Sequence, residues 1–101
     1  MKQNITAIIY DKRGRVISFG KNSYIKTHPL QALYAEKNGC PEKIYLHAEM
    51  DAIIRCQDLS KAHRILVTRI STAGNYMNAK PCKICADAIS SLTGIKIIDH
   101  T

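Results

Sequence analysis

Arg64-Ile65-Leu66-Val67-Thr68-Arg69-Ile70, then Pro81-Cys82-Lys83-Ile84-Cys85, then Ile95-Lys96-Ile97-Ile98: these three segments decide the fold. The first and last are short and rich in β-branched residues, as strands are. Between them Pro81 opens a helix, because the first helical turn leaves amides unpaired anyway and proline has none to lose. That helix runs from Cys82 to Leu92 and is closed by Thr93-Gly94. Strand, helix and strand form a βαβ unit, whose crossover sets the strands parallel and the helix on one face of the sheet. The loop Ser71 to Lys80, with Gly74-Asn75 as its turn, is expected to form a flap or small hairpin.

Working outward, Ile44-Tyr45-Leu46 leads into His47-Ala48-Glu49-Met50-Asp51-Ala52-Ile53-Ile54-Arg55-Cys56, whose Ala, Met, Ile and Glu content suits a mostly buried helix. From Pro29 to Lys37 the residues Leu30, Leu33 and Tyr34 recur at helical spacing, and Asn38-Gly39 ends the run. Ile5 to Tyr10 and Val16 to Phe19 flank Asp11-Lys12-Arg13-Gly14-Arg15 and read as a β-hairpin. The order β, β, α, α, β, α, β predicts an α/β protein: a three-layer α/β/α sandwich around a minimal four-stranded mixed sheet. Residues 1–101 suit a single domain with one core. The exposed edges of so small a sheet favour a homo-oligomer.

The composition, 46% hydrophobic and 23% charged, is ordinary for a globular protein. No apolar run has the length of a membrane span, so no membrane partner is expected. Met1-Lys2-Gln3-Asn4 shows no secretory signal, which predicts a cytoplasmic location. In that compartment four cysteines point to metal binding or redox chemistry rather than disulfides. A net charge of +7 and a pI near 9.4 favour a polyanionic or phosphorylated partner. Lys2, Lys12, Arg13, Arg15, Lys21 and Lys26 face only Asp11 in the N-terminal quarter. They form either a phosphate-facing surface or a solvated hairpin whose edge cations deter strand pairing.

Cys82 and Cys85 are three apart at a helix start, so their sulfurs share one side of the first turn, where the helix dipole favours thiolates. One metal can take both, and zinc prefers such ligands. Alone, Pro-Cys-Lys-Ile-Cys also fits half of a structural zinc site, a redox pair or two core cysteines. Alone, His47-x-Glu49 also fits a helix cap or a packed histidine. Together they stand in the order of the H-x-E and P-C-x-x-C signature, each motif at a helix start. In that combination the chain resembles the cytidine deaminase superfamily, on the branch with one histidine and two cysteines as ligands. Deoxycytidylate, cytosine and guanine deaminases, tRNA adenosine deaminases and polynucleotide cytidine deaminases belong to this branch.

The resemblance implies that His47, Cys82 and Cys85 hold one Zn2+ with an open fourth position, and that Glu49 is the catalytic proton shuttle. It implies hydrolytic deamination by zinc-bound hydroxide, with release of ammonia. It implies that the Ala48 N–H holds the substrate carbonyl and that Asn22 contacts the sugar. The expected substrate is a cytosine-type nucleoside or nucleotide, dCMP-like, with basic residues receiving the phosphate. A single-stranded DNA or RNA deaminase is the alternative enzyme, although with one Phe and no Trp its stacking would depend on five tyrosines. The alternative from another class is a non-catalytic, zinc-stabilised nucleic-acid-binding module. Relatives usually have a helix before the first strand, often a further helix and strand after the fourth, and a shorter loop before Pro81; this pattern departs on each point. Asn75 and Asn78 read as solvated loop residues, and Cys40 and Cys56 as core. Cys56 lies about 13 Å beyond His47 along the helix, too far for a shared metal. His28, His63 and His100 lack paired ligand spacing, and His28-Pro29 marks a helix start.

Overall fold

The computed structural model describes residues 4–101, so Lys2 of the basic segment lies outside the described residues. The central strand pair is antiparallel: β1 (Asn4–Tyr10) runs in unbroken seven-residue register against β3 (Arg64–Ile70), from Asn4 opposite Ile70 to Tyr10 opposite Arg64. On its other side β1 pairs with β2 (Val16–Lys21), completing the expected hairpin. Asp11 builds the turn. Its Oδ1 accepts from the Arg13 and Arg15 amides at 2.9 Å each, and its Oδ2 accepts from Arg15 Nε at 2.8 Å. These bonds, led by the Arg15 amide, hold the Asp11 carboxyl below the usual carboxylate range. Gly14 completes the turn at φ +82°, which costs a glycine nothing.

The βαβ unit forms as expected: β5 (Ile97–His100) pairs parallel with β3, and α3 (Lys83–Leu92) crosses between them. The strand starts two residues later than its sequence suggests, because Ile95 packs into the core and the Lys96 amide is bound to the His63 carbonyl. The sheet has five strands rather than the expected four. The loop after β3 folds back through Gly74, at φ +85°, and its residues Tyr76–Met77 form β4 against Ile70 and Arg69. β4 and β5 therefore share one edge of β3, end to end. Thr101 joins them: its amide donates to the Val67 carbonyl at 3.0 Å, and its hydroxyl donates to the Met77 carbonyl at 2.6 Å. Its main-chain oxygen accepts from the Ala79 amide at 2.8 Å.

Ala7 and Ile9 on β1 and Ile65 and Val67 on β3 are buried on one sheet face with Ile84, Ala88 and Ile89 of α3 and Met50, Ala52 and Ile53 of α2 (Ala48–Arg55). Side chains alternate across the sheet, so Thr6, Ile8, Leu66 and Thr68 point to the other face, where they are only partly buried. None of these four belongs to the core cluster that α2 and α3 cover. A mostly antiparallel sheet tolerates one partly wet face when it mixes Thr, Lys and Arg with its aliphatics, as this one does. Each fully buried Ile or Met contributes about 1.5–3 kcal/mol, whereas exposed ion pairs such as Lys37–Asp87 contribute about 0–1. The apolar layer under α2 and α3 therefore holds the fold.

The first helix, α1 (Pro29–Lys37), has the expected bounds, with His28 as N-cap accepting the Leu30 amide on Nδ1 at 3.1 Å. Its rotation differs from the expected one. Gln31, Tyr34 and Ala35 are buried, while Leu33 is 57% exposed. Asn38 and Lys37 then tie the helix to Asp87 of α3.

Candidate metal centre

His47 is the N-cap of α2 and Cys82 the N-cap of α3, and neither side chain caps its own helix. Both are thus free to point into the space between the two helix starts. Cys85, in the first turn of α3, completes the group. His47 Nδ1 stands 3.2 Å from Cys85 Sγ and 3.5 Å from Cys82 Sγ, and all three ligand atoms lie within 4.8 Å of one another. Zinc–nitrogen and zinc–sulfur bonds of about 2.0–2.3 Å at a tetrahedral angle separate N from S by roughly 3.5 Å, so the spacing fits one shared ion. Two thiols and an imidazole are also a donor set that suits zinc. Cys40 and Cys56 stay outside the group, as do His28, His63 and His100.

The three groups shift one another's titration. The Cys82 thiol is pushed down to about 3, first by a hydrogen bond from Cys85 and then by His47. Cys85 moves strongly up, because it donates to Cys82 and is buried. His47 is raised by its bond to the Cys82 sulfur. A divalent ion bound by these atoms would displace the protons on Cys85 and His47, so its affinity should fall as pH falls.

Three elements set this geometry. α2 lies directly on β2, where Ser18 Oγ donates to the Ala52 carbonyl at 2.7 Å and the Lys21 amide to Asp51 Oδ2 at 3.0 Å. Gly20 permits the approach, since a Cβ there would overlap the Ala48 carbonyl oxygen and the Ala52 amide. Gln31, fully buried, accepts the His47 amide at 3.2 Å and donates to the Lys43 carbonyl at 3.2 Å, so α1 braces the chain as it enters α2.

A cavity of about 640 Å³ opens beside the group. His47, Cys82, Ala48, Glu49 and Asn22 all line it, and the buried Cys85 joins them through the metal group without facing the cavity. Glu49 is 6% exposed, and burial raises its carboxyl above the usual range. Asn22 also steadies the strand beside it, since its Oδ1 accepts the Ile5 amide at 3.0 Å. The hairpin cations Lys12, Arg13 and Arg15 line a separate hollow with Lys61 and His63. The cations of the main cavity are instead Lys43, Arg69 and Lys80, and its aromatic walls are Tyr24 and Tyr45.

Sequence reasoning missed Gln31 and Arg69. For Arg69 a signal existed, since the period-two series Ile65, Val67, Arg69 puts a cation on the buried face. For Gln31 none existed, because its role depends on where the segment before His47 passes.

Among curated proteins none matches this chain. A family model does, that of the cytidine and deoxycytidylate deaminase zinc-binding region, over residues 1–99. With a His/Cys/Cys group spaced for zinc beside that cavity, the chain belongs to this family and is a zinc-dependent hydrolytic deaminase.

Proposed function

We propose that this protein deaminates a cytosine-type nucleotide, dCMP-like, with His47, Cys82 and Cys85 as the zinc ligands and Glu49 as the proton shuttle. The observation that carries the reading is the cavity itself: one opening holds the metal group, a buried carboxyl, two tyrosines and three cations. When bound, zinc supplies the Lewis acidity that makes water a nucleophile near neutral pH. Glu49, held out of bulk water, would take up one proton of the attacking water and pass it to the ring nitrogen beside the attacked carbon, then take up the second and deliver it to the leaving amine. Water and the aminopyrimidine are consumed, and the oxo-pyrimidine and ammonia are formed. The Ala48 N–H heads α2 among amides without an intrahelical partner, which suits it to the base carbonyl. Asn22 lines the same cavity, which supports its role in contacting the sugar.

The test is ammonia release by the zinc-loaded protein from free bases, nucleosides, nucleotides and short single-stranded DNA and RNA. Turnover of cytosine nucleotides is expected. Glu49→Gln should keep its zinc and lose about 10²–10⁴-fold in kcat. Undiminished turnover in that variant removes Glu49 from the chemistry, and turnover of oligonucleotides alone removes the monomeric substrate.

A further inference from the structure

Arg69 occupies a position where the alternation of β3 asks for an apolar side chain. Ile65 and Val67 are buried on the helix-covered face, and Arg69 follows them with period two into the cavity wall. Its Nε is buried and has no hydrogen-bond partner. Its Nη1 reaches the Asn78 carbonyl only at 3.4 Å, and none of the ion pairs among the described residues includes it. A buried donor left unpaired on a half-buried cation is costly, so one that a native structure keeps calls for an explanation.

The backbone holds this guanidinium in place. Arg69 is paired with Ile5 on one side and Met77 on the other, and its amide donates to Thr101 Oγ1 at 3.2 Å. Lys43 and Lys80 line the same cavity and also take part in no ion pair among the described residues. The carboxylates there are Glu49, buried beside the metal group, and the exposed Glu42. Three cations around one space, one of them a planar fork with an unused donor, are complementary to a phosphate.

We propose that Arg69, flanked by Lys80 and Lys43, receives the 5′-phosphate of the substrate and so makes the nucleoside monophosphate, rather than the nucleoside, the preferred substrate. The proposal rests on the reading of this cavity as a nucleotide deaminase site. The phosphate a nucleotide carries is the anion that enters with the base, and Arg69 needs no rearrangement of the strand to meet it.

The experiment uses the full zinc-loaded chain and its Arg69→Gln, Arg69→Lys and Lys80→Gln variants, each matched for zinc content and thermal unfolding. Two quantities are read. One is equilibrium binding of deoxyribose 5-phosphate, which carries the phosphate without a base. The other is the ratio of kcat/KM for each nucleoside 5′-monophosphate to that for its nucleoside. The parent is expected to favour the monophosphate by about tenfold or more, and Arg69→Gln to lose that preference through KM along with about tenfold in sugar-phosphate affinity. Arg69→Lys, which keeps the charge and loses the fork, falls between, and Lys80→Gln loses a smaller factor; these two decide the matter if Arg69→Gln does not fold. An unchanged ratio and unchanged sugar-phosphate binding across the variants overturn the proposal. So does turnover of oligonucleotides without any monophosphate, which assigns the guanidinium to an internal phosphodiester. Turnover of a purine monophosphate in place of a cytosine one defeats the cytosine reading alone, and the ratio measured on that purine still decides the role of Arg69.

Discussion

Gly20 matters for what it lacks. With any side chain there, α2 would have to lift off β2, because the Cβ would overlap the Ala48 carbonyl and the Ala52 amide. Lifting the helix displaces its first turn, which carries Glu49 and follows directly on His47. Gly20→Ala is therefore expected to cost about 1–3 kcal/mol of stability through overpacking. It should also weaken zinc binding, read by chelator competition on the folded protein. A variant with lower stability but parental zinc affinity would separate the packing from the metal group. At this scale the ligands were legible because helix starts leave local marks: Pro81 before Cys82, and good helix formers with Glu49 and Asp51 in the first turn after His47. Arg69 was not legible in the same way. Its role depends on which sheet face the helices cover, and that is a tertiary fact.

Among the elements, α1 shows why spacing alone misled. Leu30, Leu33 and Tyr34 have helical periodicity, yet the buried stripe is Gln31, Tyr34 and Ala35. The helix turns Gln31 inward because that one side chain satisfies both the Lys43 carbonyl and the His47 amide, and leaving either unpaired in the interior costs about 1–3 kcal/mol. Leu33 is left outside as a result. Gln31→Leu, similar in volume, should lose stability in that range, read as a lower urea midpoint with a parental slope. A neutral substitution would mean that water replaces both bonds. The βαβ unit and the hairpin, by contrast, follow from strand length, Gly14 and Pro81, which act over a few residues. The small hairpin expected after β3 is present, but its second strand could not be delimited in advance, because the two residues of β4 carry no period and pair only with Arg69 and Ile70.

For the molecule as a whole, the metal group joins two helix starts whose ligands His47 and Cys82 stand 35 residues apart in sequence. A ligand bound only by the folded state, at about a thousandfold above its Kd, adds about 4 kcal/mol. For a chain of 101 residues that is on the order of 20 °C in melting temperature. Stripping zinc with a chelator should lower Tm by that order, and restoring zinc should return it. Melting that ignores zinc would place the ion outside the fold's energetics. The charge of +7 has a matching distribution, with Lys43, Arg69 and Lys80 at the cavity and Lys12, Arg13 and Lys61 around the second hollow.

Thr101 binds Val67, Met77, Arg69 and Ala79 at once, and Ala79 lies three residues before Cys82. The segment that delivers the first cysteine is thus held by a residue that follows both cysteines in the chain. Translation runs from the N-terminal side, so His47, Cys82 and Cys85 leave the ribosome before the residue that steadies them. In a growing chain the ligands come first and their brace comes after.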